Sequence, residues 1–203
     1  MVRSHKMLDT LAHRLKTHRP RPIPLPDIEL RPAAVLVPLI PRQELELLLI
    51  RRSGNLRHHA GQIAFPGGAR DPGDVSLLDT ALREGQEEVG LPRERVRILG
   101  RLDMVFTPSG YTLTPFVGLV TDGSFEPCPH EVEEIFTVPL QKLLDPDIYR
   151  EEWWTWQGRS YPVSYFELPG CTIWGATGRL VVNLLEVGFG WQRPEAANGG
   201  KAR

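Results

Sequence analysis

The chain has 203 residues, and 24 Lys and Arg against 25 Asp and Glu leave a formal net charge of −1. That balance excludes a general nucleic-acid binder, whose affinity leans on a basic surface, so any phosphate recognition has to be local. The length suits one domain with a proper core; no apolar run approaches the ~20 residues of a membrane span, and Met1 to Lys16 lacks the apolar stretch of a signal peptide. A cytoplasmic protein with no membrane partner is the expectation. Its two cysteines, Cys128 and Cys171, lack C-x-x-C spacing and read as free thiols rather than a disulfide or a zinc site.

In chain order, Leu8, Leu11 and Leu15 have helical spacing, and Pro20 to Pro26 then break the helix, so residues 1–30 form a short helix and a proline-rich lead-in. One domain is expected over 31–195, with a disordered tail at 196–203. Ala33 to Ile40 and Leu45 to Arg51 read as strands joined by a polar turn at Pro41 to Glu44. The alternation of Gln62-Ile63-Ala64-Phe65 predicts a further strand that runs into a Gly67-Gly68 turn. A helix follows, N-capped by Ser76 in a capping box with Asp79 or, alternatively, by Asp74; Gly90 and Pro92 end it.

Beyond that helix, Val96 to Val105 and Thr112 to Thr121 are strand-like and flank the turn Pro108-Ser109-Gly110. Pro129 to Glu134 reads as a polar loop turning into a short helix over Pro139 to Leu144. Glu151 to Gln157 and Ser160 to Phe166 should pair around Gly158-Arg159, and Thr177 to Val187 is an apolar helix. Trp153, Trp154 and Trp156 read as core or interface residues of a half-buried strand. The adjacent His58 and His59 read as solvent-facing. Strands outnumber helices and are mostly antiparallel, an α+β pattern.

The most informative stretch is Arg83-Glu84-Gly85-Gln86-Glu87-Glu88-Val89-Gly90-Leu91. At about 100° per residue, Glu84, Glu87 and Glu88 fall within an arc of about 100°, while Leu78, Ala81, Leu82, Gly85 and Val89 form a separate apolar stripe. Like charges this close cost roughly 0.2–0.5 kcal/mol per exposed pair and more where solvent is excluded, an effect that a bound divalent ion reverses. Gly85 should cost about 1 kcal/mol against Ala in mid-helix, which implies close packing by another backbone or strand.

These residues resemble the Nudix box, G-x5-E-x7-R-E-U-x-E-E-x-G-U with U aliphatic. Arg83, Glu84, Glu87, Glu88, Gly90 and Leu91 match it, but fourteen residues separate Gly68 from Arg83 where the pattern has thirteen. The early acidic position is therefore Asp74, shifted by one, and Gly85 stands where an aliphatic residue is usual. Upstream, Arg52, Ser53, Arg57, Gly61, Phe65, Pro66, Gly67 and Gly68 are similar to a second block, R-[SA]-x3-R-x3-G-x3-F-P-G-G, of the coenzyme A pyrophosphatase branch. Leu48 and Ile50 replace the threonines usual ahead of that block. Ile173-Trp174-Gly175-Ala176-Thr177 also resembles the branch. The resemblance implies an α/β/α sandwich with a mixed β-sheet, and cleavage of coenzyme A to 4′-phosphopantetheine and adenosine 3′,5′-bisphosphate.

Carboxylate-only ligation selects hard cations, so Mg²⁺ or Mn²⁺ is expected, held by Glu84 and Glu88, with Glu87 at a second ion or its water and the Gly68 carbonyl close by. Metal-activated water would then attack a P–O–P link. With these glutamates as ligands and Arg83 beside them, Glu131 is the candidate general base, against the reading of Glu131, Glu133 and Glu134 as a solvated loop. Arg52, Arg57 and Arg70 are the candidate phosphate donors, Arg57 foremost because it lies inside the branch block. Two other readings stay open: a hydrolase of NADH, ADP-ribose or another nucleoside diphosphate derivative, and a module that binds a nucleotide without cleaving it. Oligomeric state is not legible.

Overall fold

A computed structural model of the chain describes residues 2–21, 29–56, 58–121, 123–156 and 158–194. Arg57, most of the proline-rich lead-in and the expected tail at 196–203 lie outside the described residues. In chain order the elements are α1 (Val2–Thr17), β1 (Arg31–Pro41), β2 (Leu45–Arg52), β3 (Ile63–Ala64), β4 (Gly67–Ala69) and α2 (Leu77–Val89). Then come β5 (Val96–Arg101), β6 (Val105–Thr107), β7 (Tyr111–Val120), β8 (Val132–Pro139) and α3 (Leu140–Leu143). β9 (Tyr149–Trp156), β10 (Arg159–Leu168), β11 (Cys171–Trp174) and α4 (Gly175–Phe189) complete the order.

Eight of these strands form one mixed sheet built around β1. Every residue from Ala33 to Ile40 is buried, the mark of a strand covered on both faces. Strand alternation sends Val35, Val37 and Leu39 into one core and Ala34, Leu36 and Ile40 into another. In β2, Leu47 and Leu49 join the first core while Leu48 and Ile50 join the second. β1 pairs with β2 and β4 antiparallel and with β7 parallel, the latter over Arg31 to Leu39. β5 and β6 flank β7, and β3 and β8 flank β2.

α2 closes one face through Ala81, Leu82 and Val89. α1 and α4 close the other, with Leu11 and Leu15 against Leu180, Val181 and Leu184. α1 sits tightly there: a Cβ on Gly188 of α4 would collide with Leu11, and one on Gly100 of β5 with the Leu15 backbone. A three-stranded antiparallel sheet, β11-β10-β9, packs against α4 at one side. The result is the expected mixed α+β sandwich. Among the described residues, no helix is long and apolar enough to cross a membrane.

Three expectations need correction. The polar stretch after Glu131 is strand β8, because Val132 and Val138 are buried and its backbone completes the β2 ladder while Glu133 and Glu134 face solvent. The expected Gly67-Gly68 turn is instead the start of strand β4, paired with β1, and the strand expected over Gln62 to Phe65 is the short β3 on β2. Trp153 and Trp154 are 44% and 41% exposed on the edge strand β9, which removes the core alternative for them and leaves the interface one. His58 and His59 are solvent-exposed as expected.

Candidate active site

The acidic helix begins where Ser76 accepts the Asp79 N–H at 3.2 Å while its hydroxyl donates to the Asp79 carboxylate at 2.8 Å. Ser76, not Asp74, is therefore the N-cap. Gly90 ends the helix in a left-handed conformation, φ 64°, with its N–H on the Gln86 carbonyl and the Leu91 N–H on that of Gly85. Gly85 lies against β1 as its composition cost implied: a Cβ there would stand 3.0 Å from Leu36 Cδ2.

The three glutamates form a gradient from interior to solvent. Glu88 is 1% exposed; its Oε2 accepts the Gly67 N–H at 2.9 Å and its Oε1 accepts Arg52 Nη1 at 3.3 Å. Burial raises its pKa to about 7 despite those two donors, with Glu84 and Glu131 adding to the rise. Glu84 is 13% exposed and is raised as well, first by burial and then by Glu87 and Glu131, against the opposing pull of Arg83. Glu87 is 57% exposed at the rim. Gly68 faces Glu84 closely enough that a Cβ at 68 would fill the space of the Glu84 carboxylate.

Arg83 organises this face. Its Nη1 lies 2.9 Å from Glu84 and 2.8 Å from Glu87, and its Nη2 donates to the Ala69 carbonyl at 3.2 Å. Nε and Nη2 also grip Asp74 at 3.0 and 3.2 Å, and Asp74 accepts from Thr80 Oγ1 and the Asp71 N–H as well. The Arg83 bond leads the causes that hold the Asp74 carboxyl down at about 2. The sequence marked Asp74 as a displaced acidic position and an alternative N-cap; here it anchors Arg83.

Because the folded pKa of Asp74 lies below its ordinary 3.8, its stabilising contribution is complete above pH ~4 and is lost as pH falls toward 2. Asp74→Ala is expected to destabilise the fold by about 3 kcal/mol, the scale of stranding one partner of a buried ion pair. Thermal unfolding at neutral pH checks this; an unchanged midpoint would remove the anchor role.

Arg52 ends β2 directly against Glu88, so it belongs to the cluster. Arg70 donates Nε and Nη2 to the Asp74 carbonyl and Nη2 to the Val75 carbonyl, bracing the loop before α2, and a phosphate would have to compete with those bonds. Glu131 is exposed, and its carbonyl accepts the Ser53 N–H at 2.9 Å; its charge acts on both Glu84 and Glu88. Beside Arg83 and Glu87 an open cleft of ≈ 510 Å³ runs along the outer flank of α2, between Val75 and Arg93.

The family model for the NUDIX domain matches residues 30–162, well over half the chain. The chain belongs to the Nudix family. It is 43% identical over 157 residues to a Photorhabdus laumondii protein described as the uncharacterized Nudix hydrolase NudL, which covers 77% of this chain and 84% of that one. A Yersinia pestis protein of the same description is 43% identical over 163 residues, covering 77% and 79%. In fold, the chain is similar to a MutT/nudix family protein of Enterococcus faecalis, with a TM-score of 0.53, 16% identity, and coverage of 81% and 64%.

Nudix hydrolases generally use divalent metals. Among the described residues, no three carboxylate, imidazole or thiolate groups converge as a ready ligand set, because Arg83 and Arg52 hold the glutamate oxygens. The donor chemistry nevertheless suits a hard cation: two mutually repelling carboxylates with raised pKa values, and a glycine backbone in contact with one of them.

Proposed function

We propose that this Nudix hydrolase cleaves the diphosphate of coenzyme A, or of a coenzyme A derivative, to 4′-phosphopantetheine and adenosine 3′,5′-bisphosphate. The observation that carries this reading is the meeting of the two sequence blocks on one carboxylate. Glu88 comes from the acidic helix, while Arg52 and Gly67, its two donors, both come from the block similar to the coenzyme A pyrophosphatases.

In this reading Glu84, Glu87, Glu88 and the Gly68 carbonyl hold Mg²⁺ or Mn²⁺. The bound ion would neutralise diphosphate charge and lower the pKa of water. Glu131 takes a proton from the attacking water as its oxygen bonds to phosphorus, and the bridging oxygen leaves with the other phosphate. Arg83 bridges Glu84 and Glu87 through one nitrogen, offsets their repulsion and holds both in place, anchored by Asp74. Arg52 and Arg57 supply the phosphate donors, with Arg70 holding the loop between them and α2.

Product analysis after incubation with Mg²⁺ and, in parallel, coenzyme A, 3′-dephospho-coenzyme A, NADH and ADP-ribose tests the proposal. Preference for coenzyme A with the two named products supports it. Preference for NADH or ADP-ribose would keep the hydrolase and overturn the substrate, and cleavage of none would favour a binding module. A coenzyme A pocket has a 3′-phosphate to read as well as the diphosphate. Arg57→Ala is accordingly expected to raise KM for coenzyme A about tenfold, a 1.4 kcal/mol loss, and to affect 3′-dephospho-coenzyme A much less. Equal losses on both substrates would remove that role from Arg57.

A further inference from the structure

β9 lies at the open side of the three-stranded sheet, and β10 is its one strand partner among the described residues. Its inner end is anchored: Tyr149 packs edge-on to Phe166 and Trp191 at 5.3 and 5.1 Å between ring centroids. Its outer half carries Trp153 and Trp154, which with Val75 are the exposed large apolar side chains among the described residues. An open strand edge bearing exposed apolar side chains is a template for pairing with another chain, and soluble proteins usually blunt such edges with free charge, proline or a covering segment.

The charges of β9 do not blunt it, because each is already answered within its own chain. Arg150 is bound by Glu152 and by Glu167, and its guanidinium lies 3.8 Å over the Tyr165 ring. Glu151 accepts from the Tyr149 hydroxyl at 2.9 Å and from Arg193 at 3.3 Å. Trp154 is fixed in place, its ring tilted at 43° and 5.9 Å from that of Trp174, with its indole N–H on Glu152 at 3.1 Å. The edge is thus aromatic, with its charges paired within the chain.

We propose that β9 pairs antiparallel with β9 of a second copy of this chain, about a twofold axis at Trp153. In that register Arg150 faces the partner's Trp156, Glu151 the partner's Thr155 and Glu152 the partner's Trp154, while Trp153 faces the partner's Trp153. No like charges stand opposite one another, and a guanidinium meets an indole. Moving the axis one residue back, to Glu152, sets the two Glu152 carboxylates face to face, which disfavours that register. The pairing satisfies the open backbone edges, sets the two Trp153 indoles against one another and covers Trp154 on the other face, aromatic contacts of the kind interfaces concentrate.

Sedimentation velocity of the full chain across a dilution series is the test, with two variants. The wild-type chain should run as a dimer that dissociates on dilution. Trp153→Lys should run as a monomer at concentrations where the wild type is dimeric, while keeping a cooperative thermal transition. Trp153→Cys should form a disulfide-linked dimer on mild oxidation, since residues directly opposite in an antiparallel pair lie within disulfide reach. Glu151→Cys, which faces Thr155 in the proposed register, should cross-link far less. A wild-type monomer at every concentration, a Trp153→Lys dimer, or equal cross-linking by both cysteine variants would overturn the proposal. If Trp153→Lys fails to fold, the comparison between the two cysteine variants decides.

Discussion

Glu88→Gln and, separately, Glu84→Gln should each lower kcat/KM by roughly 10³-fold with saturating Mg²⁺, the loss that follows removal of one well-placed electrostatic group in an active site. The fold should survive both changes. Glutamine at 88 can still accept the Gly67 N–H, and the substitution removes a carboxylate that is 1% exposed and held back from ionising by burial. Steady-state kinetics beside a thermal melt separates the two effects. Near-wild-type turnover in either variant would refute the metal assignment, whereas loss of the melting transition would show that the carboxylate is structural.

The second large effect concerns pH in the absence of divalent ions. Glu88 titrates near 7 in the folded chain against an ordinary 4.5, so between those values the folded state keeps a proton that the unfolded state has released. The sign follows directly: the free energy of unfolding falls as pH rises from 4.5 toward 7 and levels off above that, by about 3 kcal/mol for this group alone. In chelator, the thermal midpoint should therefore be higher at pH 5 than at pH 8. Adding Mg²⁺ at pH 8 should recover much of the difference through binding to the folded state. Glu88→Gln should flatten the profile. A metal-free midpoint that climbs from pH 5 to 8 would show that the Gly67 and Arg52 donors outweigh burial.

The local parts of this architecture are legible in short stretches of sequence. The caps of α2 are written in Ser76, Asp79 and Gly90, because capping depends on residues within a few positions of one another. The apolar stripe from Ala81 to Val89 follows from helical period alone, as does the turn between β6 and β7 from Pro108-Ser109-Gly110. What escaped was set by partners distant in sequence. β8 looks like an acidic loop until β2 supplies its ladder, and the parallel register of β1 with β7 joins segments some 80 residues apart. In the site, helical geometry grouped Glu84, Glu87 and Glu88, but their unequal depth depends on where β4 and Arg52 arrive. Arg70 looked free in the sequence because nothing local announces that its guanidinium turns back onto the carbonyls of Asp74 and Val75.

The seating of α1 bears on where this protein could be trimmed. The segment matched by the family model ends at residue 162 and begins at 30, yet Leu11 and Leu15 before it and Leu180 to Leu185 after it belong to one continuous apolar cluster. Cutting the chain to the matched segment would strip one face of the mixed sheet to water and leave Val35, Val37 and Leu39 as a sticky surface. The glycines at 100 and 188 hold the helix so close that no intermediate layer fits beneath it. Substitutions in the first helix should consequently be felt as strongly as substitutions in the central strand, although the helix lies outside the segment that the family model matches.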